Sequence, residues 1–162
     1  MKLTDILKEL NVPKPEDAYK FIKSTKTKNR GTGSMDKYTF KNEKGTVLDV
    51  SCNVVPMTDG GKDMYVAFGI AKEKYDDEGK KYGVKTDSGD MLKVMATVVE
   101  AIRRTMAKEG GEDQFEEILF APSDDKRDRI YNYYIQSLFP KFKKKDISST
   151  RFTRYVNTGF KK

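Results

Sequence analysis

Between residues 86 and 140 the chain encodes a helix, a short strand and a second helix, and this run constrains the fold more than any other stretch. Met91, Met95, Val98, Ile102 and Met106 recur at helical spacing, with Leu92, Val94 and Val99 widening the apolar face. Asp90 or Ser88 can cap the start of this helix, and Gly110 and Gly111 stop it. Ile118, Leu119 and Phe120 form a short apolar strand whose position predicts burial on both faces. Pro122 ends it, and Ser123 or Asp124 opens the next helix, which Phe139 and Pro140 terminate. A helix, strand and helix in this order need a sheet to lie on.

The preceding residues supply one. Leu48, Val50, Cys52 and Val54 alternate with Asp49, Ser51 and Asn53, the signature of a half-buried strand. Met64, Val66, Phe68 and Ile70 alternate in the same way, and Asp59-Gly60-Gly61 between the two runs predicts an antiparallel hairpin. Tyr38 to Phe40 is a further strand before them, and residues 150–155 alternate enough for a last one. Cys52 belongs to the apolar set, so a buried thiol is expected. Residues 72–90 and 141–146 read as polar loops.

The first 35 residues have a different texture. Leu3, Ile6, Leu7 and Leu10 follow one helical stripe, and Pro13 ends it. A second short helix is expected after Pro15, burying Ala18, Phe21 and Ile22. Helices this short must dock on the domain's own sheet or on a partner chain. Leu3, Leu7, Leu10 and Phe21 are therefore the candidate partner-binding residues. The basic stretch 24–36, with Gly31 and Gly33, reads as a linker. The expected organisation is N-terminal helices over 1–24, a linker over 25–35 and an α/β domain over 36–162 with a basic tail.

Composition excludes much chemistry. With no histidine and one cysteine, the chain can form no Ser-His or Cys-His pair, no histidine zinc site and no intramolecular disulfide. The net charge of +7 allows contact with nucleic acid or another anionic surface. Arg151, Arg154, Lys143 and Lys144 are the candidate anion contacts, because Arg151-Phe152-Thr153-Arg154-Tyr155 interleaves cations with aromatics. Solvated loops and an edge strand explain the same residues. No apolar run is long enough to span a membrane, and the N-terminus lacks a secretory cleavage pattern, so no membrane partner is expected.

The order of helices, three antiparallel strands, long helix, strand, helix and strand resembles the GNAT-type N-acetyltransferases. The runs 93–102, 118–121 and 127–131 look like a group of GNAT-like proteins encoded by tailed bacteriophages. The resemblance covers about residues 36–140. It implies an α+β (α/β) fold: a mixed, mostly antiparallel central sheet flanked by helices, here with a helical N-terminal appendage. It also implies acetyl-CoA between two splayed parallel strands, with its pyrophosphate at the start of the long helix, at Lys85, Ser88 and Gly89. Tyr131 stands where the family's thiolate-protonating tyrosine does. The phosphate loop departs from the family pattern, since Gly89 alone matches clearly and Asp87 and Asp90 place negative charge there. The resemblance with this departure implies a non-catalytic binding or virion-associated component in the virion or host cytoplasm, held to other protein chains. The alternatives are an acetyl-CoA-dependent N-acetyltransferase using Tyr131, and a nucleic-acid-binding module.

Overall fold

The structure is a computed structural model, and it describes residues 14–28, 33–71, 91–120, 125–145 and 152–161. Alternation builds the sheet. In β3 (Val47–Pro56), Leu48, Val50, Cys52 and Val54 all point into the core. In β4 (Lys62–Ile70), Met64, Val66 and Phe68 do the same, and the two strands pair antiparallel with Cys52 opposite Val66. Their hairpin is closed by the Met57 amide on the Gly61 carbonyl at 2.7 Å, and the Gly61 amide donates to the Asp59 carboxylate at 3.1 Å. Gly60 turns the chain at a φ of 91°, which glycine adopts without a steric penalty.

β2 (Ser34–Lys41) pairs antiparallel with β3, and β1 (Phe21–Lys28) pairs antiparallel with β2. Helix α1 (Met91–Lys108) then carries the chain across the sheet, so that β5 (Phe115–Phe120) runs parallel to β4. Helix α2 (Asp125–Leu138) leads to β6 (Phe142–Lys145) and β7 (Thr153–Asn157). β7 inserts between β5 and β6, giving the order β1-β2-β3-β4-β5-β7-β6.

Both helices pack on one face. α1 buries Val94, Met95, Val98, Val99, Ile102 and Met106, and α2 buries Ile130, Tyr131, Tyr134 and Ile135. These join the inward residues of the strands in a single core. Gly111 lets its amide reach back to the Met106 carbonyl at 2.8 Å, which ends α1. The carboxylate of Glu109 then accepts from Lys26 and Lys62, both at 3.0 Å. Two strands are thereby tied to the negative end of the helix dipole.

The GNAT-like α+β class with a helix-flanked sheet is corrected by this arrangement. The protein is strand-dominated, with a seven-stranded mixed sheet and two described helices. Those helices share one face, and among the described residues no helix covers the other. The expected second N-terminal helix is absent. Pro15–Asp17 forms one 3-10 turn and Phe21–Lys28 is a strand, so much of the expected linker is sheet. The reason is tertiary. Phe21 lies on Tyr38 at 4.8 Å between ring centroids, and the Thr- and Lys-rich residues after it take up the open edge of β2. The expected basic loop after Pro140 contains β6. The stripe at Leu3, Leu7 and Leu10 and the loop over 72–90 lie outside the described residues.

Candidate functional site

Tyr131 is the natural starting point, since the sequence singles it out as the one candidate catalytic residue. Its ring is 2% exposed, stacks on Phe120 at 4.1 Å and meets Phe68 edge-on at 6.5 Å. β4 and β5 pair only as far as Val66 and Phe120, while β4 continues to Ile70, and Tyr131 packs at that end of the pair. A thioester cofactor would need an opening beside the hydroxyl. The ring is instead packed against Phe68 and Phe120 of the core. Lys85, Ser88 and Gly89 lie outside the described residues.

The helix-free face is a different surface. Side chains opposite one another on neighbouring strands share a face. One row therefore crosses the whole sheet: Thr27, Met35, Asn53, Tyr65, Leu119, Arg154 and Lys145. Beside it runs Val55, Asp63, Glu117, Val156 and Lys143. Tyr65 stands near the middle, with the Phe152 ring against it at 5.5 Å, edge to face. Phe152 keeps 39% of its surface exposed. Small residues, Ser51 and Ala67, lie next to Tyr65 in the sheet.

Two acids on this face are ion-paired. Asp49 is paired with Lys37 at 3.3 Å and accepts from the Thr39 hydroxyl at 2.7 Å. Glu117 is held by a two-pronged contact from the Arg154 guanidinium. Asp63 sits directly across from Glu117 on the parallel pair, 5% exposed, with one carboxylate oxygen buried and unbonded among the described residues. Burial, reinforced by the neighbouring Glu117 charge, pushes the Asp63 carboxyl up to about 6 despite Arg154 nearby.

A second polar group is buried under α1. The Tyr38 hydroxyl lies 2.9 Å from the Thr105 hydroxyl and 3.4 Å from Asp36, whose carboxylate is 3.6 Å from Lys108 Nζ. Cys52 is fully buried beside them, and burial pushes its thiol up to about 12. It is a protonated, enclosed group at neutral pH rather than a nucleophile. On the helix side, Glu16, Glu100, Arg103 and Leu138 line a depression of about 430 Å³. Of its two carboxylates, that of Glu100 is already committed, accepting from Arg103 and Arg104 at 2.6–2.9 Å.

The remaining candidates are dispersed. Phe21 belongs to β1, is partly buried and packs against the core under the Arg104 guanidinium at 4.8 Å. Arg154 is ion-paired and half-buried, Lys143 Nζ donates to Gln136 at 3.2 Å, and Lys144 is exposed on β6. Tyr155, expected as a stacking residue, is buried, and Arg151 lies outside the described residues. Tyr65 and Asp63 were legible only as the outward half of an alternating strand. Which outward residues meet across the sheet depends on the register of distant strands.

Among the described residues no helix is long and apolar enough to cross a membrane, and no group of three or more acidic or cysteine side chains could hold a metal ion. The profile of a protein family matches residues 32–148, and its description reads "Family of unknown function (DUF6934)". The matched span takes in β2 to β6 and both helices, while β1 and β7 lie outside it. No curated protein matches the chain.

Proposed function

The chain belongs to the DUF6934 family, and from that premise we propose that it is a non-catalytic binding protein whose working surface is the helix-free face of the sheet. The observation that supports this is the enclosure of Tyr131. The residue that acyl transfer would require at a solvent-reached thioester is packed between Phe68 and Phe120. The helix-free face, by contrast, presents an aromatic pair, ion-paired acids and outward lysines on one side of a rigid sheet. Binding sites built on strands are held by the hydrogen-bonded framework, which suits recognition.

Acyl transfer is the competing reading. Its support is the parallel β4–β5 pair, whose pairing stops at the end where Tyr131 packs. A virion or host-cytoplasm setting has its support in the sequence resemblance alone. Isothermal titration with acetyl-CoA separates the two functions. The binding reading expects no saturable heat up to millimolar ligand. Saturation in the micromolar range would overturn it and move attention to Tyr131.

A further inference from the structure

We propose that the helix-free face is a platform for single-stranded nucleic acid, with Tyr65 and Phe152 stacking bases and Lys23, Lys41 and Lys145 holding phosphates. This inference rests on the reading of that face as the working surface. Three observations carry it.

The first is the aromatic pair. Tyr65 is half-buried at the centre of the sheet, and Phe152 meets it at 5.5 Å with 39% of its own surface exposed. The two rings are close to perpendicular, at 80°. Open sheet faces bearing aromatics bind unpaired bases in this way, because every base has a π-face. The small Ser51 and Ala67 lie alongside.

The second is charge complementarity. Asp49 is offset by Lys37 and Glu117 by Arg154, and Asp63 is buried beside them. Lys23 and Lys41 on one flank and Lys145 on the other are exposed. Their strand partners, Thr39, Val47 and Arg154, place them on this face. What remains is an aromatic centre, with the buried Asp63 beside it, between cationic flanks.

The third is dimension. Six inter-strand steps of about 4.8 Å make the row from Thr27 to Lys145 about 29 Å long, enough for several nucleotides to track across Tyr65. A duplex cannot offer its base faces to such a platform, so a single strand is the form that fits.

The test is fluorescence anisotropy with labelled dT and U oligomers of about 12 nucleotides, and a duplex of the same length, at two salt concentrations. Binding of a single strand that weakens with salt, and exceeds binding of the duplex, is the expected result. The dT and U arms tell a DNA ligand from an RNA one, because only the latter carries the 2′-hydroxyl. Tyr65→Leu with Phe152→Leu removes the π-faces while keeping apolar bulk, and it should weaken binding about tenfold or more. Lys23→Gln with Lys41→Gln should weaken binding and flatten its salt dependence. If circular dichroism shows that the double aromatic variant is unfolded, Phe152→Leu alone repeats the measurement at the more exposed ring. No anisotropy change at low salt, equal affinity for duplex, or unchanged binding by a folded aromatic variant each overturns the proposal. The first of these is the outcome expected if the face docks a protein instead. None of them bears on the acetyl-CoA titration, so the broader reading stands or falls separately.

Discussion

Asp63→Asn should make the folded protein more stable at neutral pH. The carboxyl rises from an ordinary 3.8 to about 6 in the folded chain, chiefly through burial and then through Glu117. Below about pH 4 it is protonated in folded and unfolded chains alike, and it contributes nothing. As pH climbs toward 6, the folded chain still holds a proton that the unfolded chain has lost, so stability falls with rising pH. Above that window the whole cost is in place. A tenfold change in proton affinity is worth about 1.4 kcal/mol, which makes the full rise about 3 kcal/mol. Water and counter-ions at the sheet surface reduce this, and we expect about 1–2 kcal/mol. An amide abolishes the charge, keeps the shape and can donate toward Glu117. Urea denaturation of both proteins from pH 4 to pH 8 tests the idea. The variant should gain about 1–2 kcal/mol at pH 7, or roughly 2–8 °C in Tm, and the gap should close toward pH 4. A gap that does not vary with pH would show that the carboxyl does not titrate in that window. A destabilised variant at pH 7 would show that the ionised form has a partner, and the reasoning would fail.

The enclosure of Tyr131 predicts that Tyr131→Phe folds with a stability within about 1.5 kcal/mol of the parent, whereas Tyr131→Ala loses about 3–5 kcal/mol by chemical denaturation. A large loss in the phenylalanine variant would mean the hydroxyl, not the ring, is what the site holds. Cys52 should resist thiol reagents in the native protein at pH 8 and react fully in denaturant, since its thiol is fully buried and pushed up to about 12. Rapid native labelling would show that the sheet opens beneath α1.

The legible parts of the fold were those written locally. The periodicity from Met91 places α1 at its observed bounds, and the alternation around Val50 and Val66 places β3 and β4 within a few residues. Ile118, Leu119 and Phe120 are buried as their uninterrupted apolar run predicts, Ile118 and Phe120 in the core beneath the helices and Leu119 on the opposite face. β1 was not legible. Phe-Ile-Lys-Ser-Thr-Lys-Thr-Lys has little apolar alternation, and its state is set by the free edge of β2 and by Tyr38 and Phe40 waiting for Phe21. β6 failed for the same reason: Phe142 is its one buried side chain and three lysines follow. The candidate surface was legible still less. Tyr65 comes together with Leu119 and Arg154 only because α1 returns the chain to β4 in parallel register and β7 then slips between β5 and β6.

The two poorly legible strands are the two edges of the sheet, and this links the charge of the protein to its architecture. An exposed edge offers unpaired backbone groups to any other chain, and lysines along it discourage that pairing. β1 carries Lys23, Lys26 and Lys28, and β6 carries Lys143, Lys144 and Lys145. Much of the positive charge therefore has a structural role before any ligand is considered. Alternation divides each set between the faces, however. Lys26 is drawn to Glu109 at the end of α1, whereas Lys23 and Lys145 fall on the helix-free side. Edge protection depends on the number of lysines and not on the face they take. Exchanging Lys23 with the neighbouring Ser24 would keep the charge of the edge while moving one cation to the helix side. An edge-guarding role predicts unchanged solubility and unchanged oligonucleotide affinity. A phosphate-holding role predicts unchanged solubility and weakened affinity.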